Sequence, residues 1–357
     1  MSTITKWSDI NINVEYAPLG IFWTDEWKAQ DSELTASTSG RDRLELLRKS
    51  TYTSSQVQVN KTLYSITESV LQDAGLKTGE YWIDSDLQNY VVPYSYFNSM
   101  SHRDALRIIA EAALGQVYCD REGVIRVEGA NYLSGAQSVL EITQDDYFTK
   151  DNPPKNKEVA NYIEVETQPL RPDTQTEVYR SNDPIKINPG ETQSISIYYN
   201  EPPCINAIAS LEGATNTVIT SAKYYAWGAA LTLSNTGGVA ENITTVMVAI
   251  PLKMKNKEKA VTQDATSIRE NGTIKFTFPA NPLVQTLSRA QQIANVLLQN
   301  YKNPRRDLTA DWRGNPALTL GDRITLIDNN GPADYLISKQ DFQYQGYLRA
   351  KMEAKKA

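Results

Sequence analysis

An apolar stripe with helical period runs into a proline stop and then into a strand corner. That succession constrains this chain more than any other feature. Leu287, Ala290, Ile293, Ala294, Leu297 and Tyr301 fall on one face of a helix predicted over Thr286–Tyr301. Asn303-Pro304 ends it, because the residue before a proline is pushed out of the helical region. Residues 305–327 follow, with Trp312-Arg313-Gly314-Asn315-Pro316, then Leu318, Leu320, Gly321-Asp322 and an alternating Arg323–Ile327. Glycine, asparagine and proline supply the turn, and the alternation supplies a half-buried strand. Nothing in the stretch carries chemistry, so it reads as scaffold.

The same signals recur along the chain. Residues 8–40 alternate and are rich in Trp, Ile, Val and Thr, which predicts strands broken at Gly20 and Gly40. A short helix is expected over Arg41–Lys49 and a longer one from Lys61 to Ala74, where Leu63, Ile66, Val70 and Leu71 keep the 3.6 period and Gly75 supplies the stop. Ser101 with Asp104 three residues on resembles a capping box and opens a helix that Gly115 ends. Residues 116–127 then form a hairpin about Arg121-Glu122-Gly123. Asp151-Asn152-Pro153-Pro154 breaks any regular element, so a boundary is placed near residue 150. Short strands at Ser194–Tyr199, Asn206–Leu211, Ala222–Leu233 and Thr244–Ile250 read as a small sandwich, and Arg323–Ile327, Tyr335–Phe342 and Tyr347–Met352 as a closing meander around a turn at 329–331.

At 357 residues the chain holds two to three domains at roughly 150 residues each. A formal net charge of −6 argues against a dedicated nucleic-acid or anionic-membrane binder, since both need a basic footprint. No apolar run is long enough for a membrane segment, and Met1–Trp7 lacks the apolar core of a signal peptide. Cys119 and Cys204 lie far apart with no CxxC, so they read as two reduced thiols.

Catalytic and ligand motifs were weighed residue by residue. His102 is the only histidine; beside an N-cap it reads as a surface residue without a catalytic role. The carboxylate pairs Asp25/Glu26, Asp145/Asp146 and Glu164/Glu166 carry no cleft geometry, and the last pair reads as the solvated face of a strand. Asp328–Asp334 lacks calcium-loop spacing and reads as a hairpin turn. Lys253, Lys255, Lys257 and Lys259 read as a solvated loop, with contact to an acidic neighbouring subunit as the functional option. No catalytic residue, metal or cofactor is implied. Among 20 tyrosines and 6 tryptophans, Tyr224, Tyr225 and Trp227 are the candidate sugar-stacking group. Trp23, Trp27, Arg41, Asp42, Arg43, Trp312 and Arg313 are the candidate subunit contacts.

Three passages carry a family resemblance: Pro18-Leu19-Gly20-Ile21-Phe22-Trp23 through Asp42-Arg43-Leu44-Glu45-Leu46-Leu47; the helix and hairpin of residues 101–127; and Gly314-Asn315-Pro316 through Ile324. Together they resemble phage tail baseplate-hub, or tail-tip, proteins over residues 15–165 and 265–355. The resemblance implies an α+β multidomain fold of tube-forming, barrel-like domains with packed helices. Residues 1–60 would be part of a first barrel-like domain, 61–150 an α+β domain, 151–184 with 263–357 a second barrel-like domain, and 185–262 an inserted β-sandwich. It further implies a homotrimeric ring in a virion tail assembled in the bacterial host cytoplasm. That ring would join the tail tube or a distal tail protein, the tape-measure protein and further tip or receptor-binding proteins, and pass DNA without reading it. The start almost at Pro18-Leu19-Gly20 is a departure, since a complete hub would have further barrel strands before it. Two other classes are a host polysaccharide-binding module and a cell-wall hydrolase accessory.

Overall fold

The computed structural model describes residues 18, 20–30, 35–130, 137–153, 158–304, 306–329 and 331–356. The strands expected before residue 18, and residues 154 and 330 of the expected break and turn, lie outside them. The described chain is mixed α+β and rich in strands. Its five α-helices are α1 Leu44–Lys49, α2 Leu63–Asp73, α3 His102–Ala113, α4 Ala265–Asn271 and α5 Leu287–Tyr301.

Capping residues set the helix starts. Thr62, Ser101, Asp264 and Thr286 each accept a hydrogen bond from the backbone N–H three residues on, satisfying one of the orphan donors of α2, α3, α4 and α5. The end of α3 differs from expectation. The left-handed residue is Leu114, at φ 53°, and not Gly115. Gly115 is required for another reason: a Cβ there would lie 1.6 Å from the carbonyl oxygen of Glu128, across the first pair of the hairpin Gln116–Cys119/Ile125–Glu128. The neighbouring backbone excludes a side chain.

Three apolar clusters organise the molecule. The first is a helical layer in which the stripe of α2 (Leu63, Ile66, Val70, Leu71), that of α3 (Leu106, Ile109) and that of α5 (Ile293, Ala294) share one core with Ile125, Val127, Ile163 and Val165 of the strands. Burial of each such side chain stabilises by about 1.5–3 kcal/mol before entropy is counted.

The second cluster lies in a six-stranded sheet of order Leu140–Ile142, Arg323–Asp328, Gly331–Tyr344, Leu348–Lys356, Leu308–Trp312 and Tyr147–Asp151. Its two outermost strands are neighbours in sequence, joined by residues 143–146. A link that short cannot span six flat strands at about 4.8 Å each, so the sheet curls into a half-barrel. Lys150, on one outermost strand, forms an ion pair with Asp328 at the end of the strand beside the other. Inside the curl lie Ile142, Ala310, Ile324, Leu326, Ile337 and Met352. The Gly-Asn-Pro corner feeds this core. Gly314 adopts φ 81° with a would-be Cβ 2.9 Å from Ala350, the Asn315 side chain accepts from the Ala317 amide, and Leu318 is buried.

The third cluster sits between two sheets. The long strand Glu241–Met254 pairs with Leu170–Pro172, Thr176–Arg180, Ile185–Ile187 and Cys204–Glu212. A second sheet orders Thr192–Tyr198, Gly228–Asn235 and Thr217–Tyr224. Ile187, Ile197, Leu231, Leu233, Ile243 and Met247 fill the space between. One strand expected over Ala222–Leu233 is in fact two, broken at Tyr225–Trp227. There the Tyr225 amide bonds the Gly228 carbonyl and the Ala226 amide leaves the sheet for the carbonyl of Ser55. No helix among the described residues is long and apolar enough to cross a membrane.

Candidate functional site

The aromatic residues of the N-terminal segment are exposed. Trp23, on a two-residue strand paired with Gly40–Arg41, is 42% exposed and Trp27 is 66% exposed. Phe22 and Ile21 beside them are exposed as well. Beside Trp23 sit the charges of the α1 start. Arg43 stands over the Trp23 ring at 5.7 Å and reaches Glu80 at 3.2 Å. The Asp42 carboxylate accepts from the Leu44 amide, so it steadies the first turn of α1, and Arg41 pairs with Glu45. The Glu45 carboxyl is held down to about 2, first by hydrogen bonding from Arg48.

Trp23, Arg41 and Arg43 therefore lie together, through the Trp23–Arg41 strand pair and the Arg43–Trp23 stack, and Trp27 is exposed four residues further along the chain. Arg313 is exposed, but it sits on the half-barrel corner, where its amide bonds the Asp146 carbonyl. Trp312 is 4% exposed inside the half-barrel core, so its ring faces the curl and not the solvent.

A cleft of about 750 Å³ separates the N-terminal segment and the 116–128 hairpin from the half-barrel, with Ile21, Phe22, Asp42, Arg126, Leu320 and Gln340 among its walls. Arg121 bridges it, donating from its guanidinium to the carbonyls of Pro316 and Leu318 in the Gly-Asn-Pro corner.

The candidate sugar-stacking residues separate. Tyr224 packs against the third apolar cluster. Tyr225 and Trp227 stack at 5.1 Å with rings 8° apart, and Tyr198, which its strand pattern suits to a core or an interface and which was not offered as a sugar-stacking residue, stacks on Trp227 at 5.1 Å and is 68% exposed. The Trp227 indole N–H is committed to the Thr53 carbonyl at 2.9 Å. The strand pattern gives the side of the sheet on which Tyr198 lies but not its distance from Trp227, so the stack had no legible signal.

Two expectations are corrected. His102 is buried, 2% exposed, with Nδ1 2.8 Å from the Ser50 hydroxyl and Nε2 2.9 Å from Asp73. It ties the end of α1 and the end of α2 to the start of α3. Burial next to a capping residue is invisible to helix periodicity, which places His102 but not its neighbours. The lysine run is exposed and residues 255–258 are a loop, as expected, with ion pairs along it: Lys253 pairs with Asp173 and Glu201, Lys255 with Asp173, Lys257 with Glu166 and Lys259 with Glu164. Glu164, read as solvated, is only 8% exposed and is gripped by Lys259 and Lys275. Hydrogen bonds from Lys275 and Lys259 hold its carboxyl below the usual range.

Among the described residues no group of three or more His, Cys, Asp or Glu side chains could hold a metal ion. Asp334, in the calcium-loop look-alike, accepts from Thr325 and Arg323, which depresses its pKa. Burial pushes the Cys204 thiol up to about 11, so it stays protonated and unreactive at neutral pH.

No family model and no curated protein matches the sequence. Solved structures do. A 43 kDa tail protein of prophage MuSo2 from Shewanella oneidensis is similar over 93% of this chain and 77% of its own, with a TM-score of 0.50 at 13% identity. A tail protein from Neisseria meningitidis MC58 is similar over 94% of this chain and 79% of its own, with a TM-score of 0.54 at 11% identity. The chain shares the fold of these phage tail proteins. At such identity the likeness is one of architecture, and it takes in both the half-barrel and the two-sheet unit.

Proposed function

We propose that this chain is a structural subunit of a phage or prophage tail, specifically of the baseplate hub or tail tip. Three copies would form a ring that joins the tail tube to the distal tip and lets DNA pass. The observation that carries the reading is the half-barrel, within a fold shared with tail proteins over nearly the whole chain. A sheet curled until its outermost strands are joined by residues 143–146 is a wall element suited to lining a tube. Exposed Trp23 and Trp27, with Arg41, Asp42 and Arg43 around them, form the contact face for a neighbouring copy, since aromatic and arginine anchors dominate such interfaces. The tail tube, a distal tail protein, the tape-measure protein and receptor-binding proteins are the proposed neighbours in the virion. No catalytic step belongs to this role.

The test is solution mass by light scattering across a concentration series, with negative-stain imaging. A concentration-stable mass of three chains and ring-shaped particles is the expected result. A strict monomer at every concentration, unchanged by Trp23→Ala or Trp27→Ala, would sink the ring.

A further inference from the structure

The two-sheet unit has an apolar cluster of its own that shares no residue with the cluster of the helical layer. Units with separate cores move relative to one another unless something fixes them. Among the described residues, two sets of hydrogen bonds hold this one. The first is a neck, where the chain leaves the helical layer after Glu166 and returns before Lys259. The Thr167 amide bonds the Glu258 carbonyl at 2.8 Å, the Glu258 amide returns a bond to the Thr167 hydroxyl at 2.9 Å, and the Lys255 amide bonds the Pro169 carbonyl at 3.2 Å. Along it, alternate lysines 253 to 259 face Asp173, Glu201, Glu166 and Glu164. Exposed ion pairs of this kind keep register but resist bending little.

The second contact is the turn Tyr225–Trp227. Its Ala226 amide donates to the Ser55 carbonyl at 2.9 Å and its Trp227 indole to the Thr53 carbonyl at 2.9 Å. The receiving loop is anchored from beneath. Ser55 is fully buried and accepts from the Phe97 amide at 3.0 Å, Ser54 donates to Asp73, and Asp73 with Ser50 holds His102 between them. One side of this contact is therefore fixed by three helix ends. The other side is a single turn, and Tyr198 at the end of the neighbouring strand, stacked on Trp227, is 68% exposed.

We propose that Tyr225–Trp227 is a releasable latch, which sets the position of the two-sheet unit against the helical layer while the paired neck serves as its hinge. Opening it breaks the two hydrogen bonds to Thr53 and Ser55 and leaves all three apolar clusters intact. The device goes beyond the assembly role: it gives the two-sheet unit a docked state and a swung state on one body.

Hydrogen exchange on the full chain, read by mass spectrometry, tests this with Trp227→Phe, which removes the indole donor and keeps an aromatic ring, and Trp227→Ala. The expected result is about two- to tenfold faster exchange in Trp227→Phe, and more in Trp227→Ala, confined to residues 53–56, 224–228 and 255–258. Strands 229–235 and 243–250 and helices α2 and α3 should keep the unaltered chain's rates. Unchanged rates at residues 53–56 and 224–228 in both variants would overturn the latch, as would acceleration spread through either apolar cluster.

Discussion

The half-barrel and the two-sheet unit solve the same problem in opposite ways. Each has its own apolar cluster, and each touches the helical layer through donors aimed at backbone carbonyls. The half-barrel is held by the Arg121 guanidinium, a part-buried cation spread over two carbonyls of a corner that glycine and proline make rigid. Beyond its neck, the two-sheet unit is held by a neutral indole and one amide at a partly exposed turn. Charge-assisted hydrogen bonds are roughly twice as strong as neutral ones, so the first attachment is a fixture and the second a catch. A wall element must not move, whereas an appendage can.

That contrast can be broken most forcefully at the cores. Ile324→Ala in the half-barrel and Ile243→Ala in the two-sheet unit each delete a fully buried side chain and are expected to cost about 2–5 kcal/mol. Scanning calorimetry should show each substitution lowering a different transition. A single transition shifted equally by both would mean the clusters unfold as one. Gly115→Ala, which forces a methyl group against the Glu128 carbonyl, is expected to cost about 1–3 kcal/mol and to lower only the transition of the helical layer.

The attachments come next. Arg121→Ala should weaken the docking of the half-barrel by about 1.5–3 kcal/mol, and Trp227→Phe that of the two-sheet unit by only about 0.5–1.5 kcal/mol. Urea titration of the two variants, followed by fluorescence of the remaining tryptophans, gives the order, and the reverse order would abolish the distinction drawn above.

The smallest effect lies in the neck. Hydrogen bonds from Lys253 and Lys255 hold the Asp173 carboxyl at about 2, below its ordinary 3.8. A depressed carboxyl contributes stability that is complete above about pH 4 and is lost as the pH falls through its folded value. Pepsin cleavage between residues 166 and 173 should therefore rise from pH 4 towards pH 2 before the cores give way. A flat profile would leave the ion pairs without a mechanical part.

Much of the local architecture was legible in the sequence. The stripes of α2, α3 and α5, the capping Ser101 and the Gly314–Asp322 corner sit where periodicity and turn chemistry put them, whereas Thr62 and Thr286, read as helical, cap α2 and α5. What escaped reading depends on contacts distant in the chain. Gly115 is dictated by Glu128, the break at Tyr225–Trp227 by Thr53 and Ser55, and the burial of His102 by Ser50 and Asp73. Trp23 and Trp27, offered as subunit contacts, are exposed, but Trp312, offered with them, is buried, and its alternation in Leu308–Trp312 fits the inner face of the curl.

The half-barrel closes with segments made far apart in time. Tyr147–Asp151 pairs with Leu308–Trp312, and Leu140–Ile142 with Arg323–Asp328. Translation of the intervening stretch at about 5–20 residues per second takes roughly 10–30 s, during which the two early strands have no partners while the two-sheet unit can already complete itself. Unpartnered strands invite pairing with other chains, and charged side chains discourage it. Lys150 and Asp151 at the end of the later strand are placed to guard it during that wait, before Lys150 finds Asp328.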